Sequence, residues 1–174
     1  YNAHPTQKLP VIKSYTNAKI LELLQWGLTS SWTQEREIRP LINARLETLG
    51  EKMTFKNLIK NYRCLVVADG YYEWQRKEND KIPHYFTRED DRLMFFAGIY
   101  TGHQFLIITQ EASSHVADIH QRQPVVINEE DLDEYFNLKI EGTNFLRSYQ
   151  APKLKSHPVS RDVNKPTNNN KQLI

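Results

Sequence analysis

Cysteine is nearly absent from this chain, since Cys64 is the only one among its 174 residues. An internal disulfide is therefore impossible, and a zinc site built on paired cysteines cannot form. Long hydrophobic runs are also missing, because the longest, at 93–100 and 105–109, are much shorter than the roughly 20 residues that cross a membrane. No basic segment followed by an apolar one opens the chain, so we expect an intracellular protein without a secretory signal.

Glycine is scarce as well, with 6 residues, and none of them forms a phosphate-binding loop or a nucleophile elbow. The sequence has no HExxH pattern and no Asp-rich loop, so we expect neither a metal nor a cofactor. Apolar residues make up 39% of the chain and charged residues 25%. These proportions are typical of a globular protein, and the length predicts that residues 1–174 form one domain.

The charge is distributed unevenly along the chain. Residues 1–63 hold ten Lys and Arg against five Asp and Glu, whereas residues 64–127 hold six against nine. The last 24 residues hold five bases and one acid. Such a distribution could form a basic stripe for a polyanion, but charge alone favours ordinary surface solubility.

Short apolar or alternating segments predict a strand-rich protein. Strands are expected near 9–15, 63–68, 82–87, 93–100, 104–109 and 124–127, and segment 18–26 suits either a strand or a helix. Because the strands follow each other without a βαβ rhythm, we predict an α+β fold around a curved, barrel-like antiparallel or mixed sheet with short peripheral helices.

Capping and tail signals complete the prediction of secondary structure. Thr54 is predicted as the N-cap of a helix to about residue 61, and Asn128, followed by acidic residues, as the N-cap of another. A short helix is expected over 112–119. The Asn-rich tail 164–174 predicts a surface strap or a frayed end.

Three stretches place chemically capable side chains next to apolar strands. In INARLE, Asn43 and Arg45 alternate, so an extended chain would project both from one face. In ADGYYEWQ, Glu73 stands among aromatic residues, where poor solvation would raise its pKa and suit it to acid–base chemistry. In DIHQRQP, His120 and Arg122 lie in a turn before a buried strand.

Each of these residues also has a purely structural interpretation. Asn43 could satisfy backbone groups in a turn, Glu73 could pair with a neighbouring base, and His120 could end a helix. Cys64 could join His120 and Asn43 in a Cys-His-Asn protease. However, Cys64 lies in RCLVVA, which predicts a buried strand in which a thiol is unreactive.

Several segments together resemble one family, the SOS-response-associated peptidases. The most specific are NAR, ADGYYEW and IHxRxP, which occur here in the family's order and at compatible separations. The resemblance extends from the first residue almost to the last, over YNAHPTQKLPVI, WGLTSSW, INARLET, RCLVVADGYYEWQ, AGIY, ITQEAS, IHQRQPVVI and HPVSRDVN.

The resemblance implies a single α+β domain that processes abasic sites in single-stranded DNA as part of the SOS response to DNA damage. Family members use an N-terminal cysteine, whose amine and thiol condense with the aldehyde of a ring-opened abasic deoxyribose to give an imine and then a thiazolidine. The word peptidase in the family name would then refer to the release or processing of the protein's own N-terminal segment, carried out by the same active-site residues. A monomer in the cytoplasm, associated with the nucleoid, is expected.

Matching the family's motifs residue by residue assigns the expected site. The active-site amide, acid–base carboxylate and histidine fall on Asn43, Glu73 and His120. The remaining matches are the phosphate-binding Arg45 and Arg122, the apolar wedge Trp26, Gly27 and Leu28, and the cleft-lining Asn2, Pro5, Trp74 and Thr109.

The chain also departs from the family pattern. Members begin with a Cys-Gly-Arg stretch before the YNxxPTQ motif, and this sequence starts at that motif. We therefore expect a preceding segment to carry the nucleophile. Thr29 and Ser30 replace the usual Ile/Val-Pro, and Gln121 and Gln123 flank Arg122 in place of Asp and Met. We therefore expect the wedge and cleft surfaces to differ from those of the family. The competing functions are a non-covalent single-stranded DNA-binding module and a cysteine protease based on Cys64.

Overall fold

The computed structural model describes residues 1–15, 18–29, 39–78 and 80–174, and its architecture is an α+β fold built on a curved sheet. The described strands are β1 (Lys8–Tyr15), β2 (Ala18–Trp26), β3 (Asn43–Arg45), β4 (Arg63–Ala68), β5 (Tyr71–Lys77), β6 (Asp80–Arg88), β7 (Met94–Thr101), β8 (Gln104–Glu111), β9 (Arg122–Pro124), β10 (Val126–Ile127) and β11 (Leu154–Pro158). The described α-helices, all short, are α1 (Met53–Asn61), α2 (Ser114–Ala117), α3 (Leu132–Phe136) and α4 (Gly142–Ser148).

The larger sheet closes on itself. Strands β7, β4, β1, β2 and β8 pair in that order, and β8 pairs back onto β7, so these strands form a barrel. The pairing of β2 with β8 is parallel and the other pairings around the ring are antiparallel. Strands β3 and β9 extend the sheet from β8. The predicted curved mixed sheet is confirmed.

A second, antiparallel sheet has the order β11-β6-β5 and leaves β5 at its edge. Strand β5 follows β4 after the turn at Asp69 and Gly70. A Cβ on Gly70 would lie 2.4 Å from the Phe86 carbonyl oxygen and 2.4 Å from Cζ of Tyr85. Glycine is therefore required at this turn, because no side chain fits where the two chain segments meet.

The apolar core lies on both faces of the central strands. On β4, Leu65 packs into one buried cluster, while Cys64 and Val66 pack into another. On β7, Phe95 packs into the first of these clusters and Phe96 into the second. Burial of both faces explains why these strands are continuous apolar runs rather than alternating ones.

Several predicted boundaries change in the structure. Segment 18–26 is a strand, paired with β1 from Ala18 to Gln25. Thr54 is not a cap, because α1 begins at Met53 after Lys52. Asn128 does occupy the N-cap position of a 3-10 turn, Glu129–Asp131, that leads into α3. Its side chain makes no capping bond to the backbone and donates instead to the Asp131 carboxylate.

The tail forms a surface strap rather than a frayed end. The Asn2 side-chain amide donates to the backbone carbonyls of Val163, Lys165 and Asn168 at 3.0, 3.2 and 3.0 Å. Two 3-10 turns, Arg161–Asn164 and Lys171–Leu173, give the strap its shape, and Leu173 is buried. Across the described part of the chain, no helix combines the length and apolar character that a bilayer span needs.

Candidate functional site

The local structure of β5 directs Glu73 toward the main sheet. Tyr71 stacks on Phe86, with ring centroids 4.9 Å apart, and meets the edge of Phe96 at 5.9 Å. Residues two apart in a strand share a face, so Glu73 lies on the same side of β5 as Tyr71. The aromatic packing therefore holds the carboxylate beside the apolar core.

His120 is held in the turn between α2 and β9. Its backbone N–H donates to the carbonyl oxygen of Val116 at 2.9 Å. Its ring Nδ1 lies 2.9 Å from the carbonyl oxygen of Arg122 and 3.2 Å from the backbone nitrogen of that residue. These contacts fix the orientation of the imidazole, and Nε2 has no hydrogen-bond partner among the described residues.

The structure brings Glu73 and His120 together. Nδ1 of His120 lies 3.6 Å from Oε1 of Glu73, and the side chains are 40% and 26% exposed. Burial raises the pKa of the Glu73 carboxyl, and the nearby His120 partly offsets this increase. Because 3.6 Å is longer than a hydrogen bond, both groups retain hydrogen-bonding capacity for a substrate. A carboxyl with a raised pKa can donate a proton closer to neutral pH.

A cavity of about 490 Å³ opens beside this pair. Its lining combines the two titratable groups with an indole, an amide and two cations: Glu73, His120, Trp74, Asn164, Arg76 and Lys81. The Trp74 indole N–H donates to Oδ1 of Asn164 at 2.8 Å, which fixes the ring at the cavity wall. The cavity is therefore polar and positively charged around one acid.

Arg122 is held firmly beside the His120 turn. Its guanidinium donates two hydrogen bonds to the Glu47 carboxylate, at 2.7 and 2.9 Å, and another to the carbonyl oxygen of Thr109 at 2.8 Å. Arg122 lowers the pKa of Glu47 through these bonds. The predicted phosphate-binding residue is thus already paired with a carboxylate, which orients it and reduces its net charge.

Asn43 and Arg45 share an exposed face of β3, as their alternation predicted, and Ala44 between them is buried. β3 runs parallel to β8, with Asn43 opposite Ile107 and Arg45 opposite Thr109. Because β9 pairs with the same half of β8, Asn43 and Arg45 lie two strands away from Arg122. No hydrogen bond joins Asn43 to Glu73 or His120 among the described residues.

The Trp26-Gly27-Leu28 segment is anchored next to β3. The Trp26 indole donates to the carbonyl oxygen of Ile42 at 3.0 Å and packs against the core. Gly27 has a φ of 115°, a conformation that favours glycine. Leu28 pairs with Leu41 through backbone bonds and stays partly exposed. The rest of the WGLTSSW stretch after Thr29 lies outside the described residues.

The remaining predicted positions have mainly structural contacts. The Asn2 amide is committed to the strap, and the carbonyl oxygen of Pro5 contacts the His4 ring at 3.0 Å. Thr109 joins β3 to β9 through its place on β8 and its bond to Arg122. Among the described hydrogen bonds, Asn2, Pro5 and Thr109 make none to Glu73 or His120.

Glu47, Asn164 and Lys81 are among the members of the site that sequence patterns did not single out. Glu47 lies within INARLE, but only the tertiary structure shows that it pairs with Arg122. Asn164 and Lys81 come to the cavity from the tail and from β6. Local hydrophobic periodicity cannot predict contacts between residues that are far apart in the sequence.

The family model described as SOS response associated peptidase matches residues 1–166. This chain belongs to that family. Its relatives include the abasic site processing protein YoqW of Bacillus subtilis, 34% identical over 189 residues that cover 100% of this chain and 84% of YoqW. YedK of Escherichia coli, another abasic site processing protein, is 30% identical over 187 residues, covering 100% and 83%.

Two solved structures share the fold of this chain. A protein from Bacteroides thetaiotaomicron superposes with a TM-score of 0.81 at 26% identity, covering 97% of this chain and 80% of that one. A phage-related protein from Bordetella bronchiseptica superposes with a TM-score of 0.76, also at 26% identity, covering 92% and 82%. The overall α+β fold therefore also occurs in these two proteins.

Proposed function

We propose that this protein senses abasic sites in single-stranded DNA and crosslinks to them through an N-terminal cysteine that precedes Tyr1. The observation that supports the proposal most strongly is the 3.6 Å approach of Glu73 and His120 at the wall of a cationic cavity. An acid with a raised pKa beside an imidazole suits reversible carbonyl chemistry. The names of the relatives YoqW and YedK, as abasic site processing proteins, point to the same substrate.

The proposed reaction condenses an aldehyde with an aminothiol. The cysteine α-amine adds to the C1′ carbonyl of the ring-opened sugar and forms a carbinolamine. Loss of one water gives an imine, and the thiol then adds to the imine carbon while its proton passes to nitrogen. The products are a thiazolidine and one water, so no oxidant or reductant is required.

Glu73 and His120 divide the proton transfers in this proposal. The protonated Glu73 carboxyl donates to the hydroxyl that leaves the carbinolamine, and the resulting carboxylate recovers a proton from the nitrogen as the neutral imine forms. His120 offers a second proton carrier for ring opening and for reversal. Asn43 would hydrogen-bond the opened sugar from the β3 side.

DNA would lie across the strands that surround this pair. Arg45 is exposed and would contact a phosphate, and Arg122, oriented by Glu47, would contribute a partly neutralised guanidinium. Leu28 and its neighbours would act as the apolar wedge. We propose a monomer that acts where the cell holds its DNA, and N-terminal processing that uses the same acid–base pair.

The test uses the protein with its preceding cysteine-bearing segment and an otherwise identical Cys→Ala variant. Each is mixed with a single strand that carries an abasic site, and the products are separated on a denaturing gel. We expect a shifted covalent species with the cysteine form only. An intact strand and a strand with tetrahydrofuran, a sugar analogue that cannot open, are the controls and should give no shifted species.

Two results would overturn the proposal. Tight binding of the abasic strand without a covalent species would establish a non-covalent binding module instead. A covalent species that forms without the N-terminal cysteine and disappears in a folded Cys64→Ala variant would move the nucleophile to Cys64.

A further inference from the structure

The cavity beside Glu73 and His120 contains two cations that the acid–base chemistry does not use. Arg76 comes from β5 and Lys81 from β6, and both side chains are exposed. The strand register places these two residues directly opposite each other. Like charges at directly opposed positions of an antiparallel pair repel and destabilise the sheet.

Among the described residues, no neighbouring acid neutralises this pair. Asp80, the adjacent carboxylate, accepts a 2.5 Å contact from Arg161. None of the described ion pairs includes Arg76 or Lys81. Two unpaired cations at the wall of one cavity favour a bound anion, since an anion between them would relieve the repulsion.

The position of the pair suggests which anion this would be. Glu73 and Arg76 are three residues apart on β5, a separation of roughly 10 Å along a strand. Trp74 stands between them, with its ring oriented by Asn164. Three residues is an odd spacing, so Arg76 and Glu73 leave opposite faces of the edge strand β5, although both line the cavity. Arg76 and Lys81 are therefore placed to bind a backbone phosphate beside the reacting sugar rather than the aldehyde itself.

We propose that Arg76 and Lys81 form a phosphate subsite that holds the DNA backbone next to the abasic sugar. Trp74 is the wall between this subsite and the reacting centre and offers a ring face to the nucleotide that spans them. The inference deepens the proposed function, on which it rests for the identity of the ligand as DNA. The subsite fixes the position of the sugar and takes no part in the proton transfers.

The test compares the wild type with an Arg76→Gln/Lys81→Gln double variant. The matched control, Lys56→Gln/Lys60→Gln, also removes two charges but from exposed positions on α1, which packs on β7 and β4. Affinity for a single strand with one tetrahydrofuran residue is measured by fluorescence anisotropy over a range of salt concentrations. Each phosphate contact that is lost should lower the slope of log K against log salt by about 0.7.

We expect a clearly reduced slope for the Arg76/Lys81 variant and an unchanged slope for the control. A second measurement replaces one phosphate beside the tetrahydrofuran with a neutral methylphosphonate. The neutral linkage should weaken binding by the wild type and by the control, but not weaken the Arg76/Lys81 variant any further. Equal slopes in all three proteins, or equal losses with the neutral linkage, would overturn the subsite.

Failure of this inference can be distinguished from failure of the proposed function. Tetrahydrofuran cannot open to an aldehyde, so the binding measurements do not depend on crosslinking. If the slopes change as expected but the protein never forms a crosslink, the phosphate subsite is supported and the proposed covalent reaction is wrong. If the wild type forms a crosslink but the Arg76/Lys81 variant has the same salt dependence as the wild type, only the proposed phosphate subsite is wrong. Circular dichroism of each variant checks that it is folded.

Discussion

Strands β4 and β5 are consecutive in the chain, and each carries a side chain with catalytic potential. Cys64 on β4 is 0% exposed and packs between buried apolar residues. Glu73 on β5 is 26% exposed and faces a cavity. Only the short turn at Asp69 and Gly70 separates the two strands, yet β4 is a strand of the barrel and β5 is the edge strand of the second sheet.

Burial raises the pKa of both groups, with opposite consequences. For Cys64, complete burial raises the thiol pKa far above its ordinary value, so no thiolate forms near neutral pH. For Glu73, burial favours the protonated form, but the carboxyl still reaches the cavity and the imidazole. A shift in pKa indicates chemistry only where the group can also meet a substrate.

Substitution of Glu73 by Gln should have the largest effect on activity. Loss of one general acid should slow crosslinking at saturating DNA by about 10–1,000-fold. Single-turnover crosslinking to an abasic strand measures the rate, with Glu78→Gln, an exposed acid just beyond β5, as the control. A wild-type rate in Glu73→Gln would remove this residue from the proton transfers.

The same variant should also change how stability depends on pH. Because the folded-state pKa of Glu73 is raised, the native protein retains a proton that the unfolded chain releases. Stability therefore falls as pH rises from the ordinary carboxyl pKa through the raised value. Glu73→Gln should lack this fall and melt at a higher temperature than the wild type at neutral pH. Parallel melting curves of both proteins across pH would contradict the raised pKa.

Substitution of Gly70 by Ala should damage the junction between the two strands. A methyl group would lie 2.4 Å from the Phe86 carbonyl oxygen, so the backbone must shift at a cost of about 1–3 kcal/mol. Urea unfolding measures the loss. Gly102→Ala is a useful control, because a Cβ there meets nothing within 4 Å although its φ of 55° is also unfavourable. A smaller loss at Gly70 than at Gly102 would show that the turn tolerates a side chain.

Substitution of Glu47 by Gln should have a moderate effect through His120. Glu47 holds Arg122, and the backbone of Arg122 contacts the His120 ring. Because the ion pair is partly exposed, we expect the crosslinking rate to fall by about tenfold, near the lower limit for losing a charged hydrogen bond.

The control for Glu47→Gln is Glu129→Gln, which removes an exposed acid from the 3-10 turn Glu129–Asp131. A positioning role predicts that the maximal rate falls more than the affinity for DNA. An unchanged rate with stronger DNA binding would show instead that Glu47 merely neutralises Arg122.

Substitution of Cys64 by Ala should have the smallest effect on chemistry. Loss of the buried sulfur should cost about 1–2 kcal/mol of stability and leave the crosslinking rate of the folded protein unchanged. Chemical denaturation and the gel assay measure the two quantities separately. If a folded Cys64→Ala protein no longer forms crosslinks, the reactive side chain lies on β4 and the Cys64 thiol is not inert.

Local patterns predicted most of the fold because they report burial directly. The apolar runs of β4 and β7 are buried on both faces, and their sequences show it. Segment 18–26 was ambiguous because Ile20, Leu21 and Leu23 remain exposed in β2, so its alternation does not reflect a buried face. Neither α4 nor β11 was predicted, since both are short and amphipathic signals in such segments are weak.

The sequence by itself determined which chemical groups are available and which neighbours share a face. It predicted that Asn43 and Arg45 would project together and that Glu73 would stand among aromatic residues. Only the tertiary structure decided which of these groups meet. The contact between Glu73 and His120 and the pair of Glu47 with Arg122, 75 positions apart, depend on how β5, β8 and β9 are placed. Strand order and closure follow from packing of the whole core, which no local segment specifies.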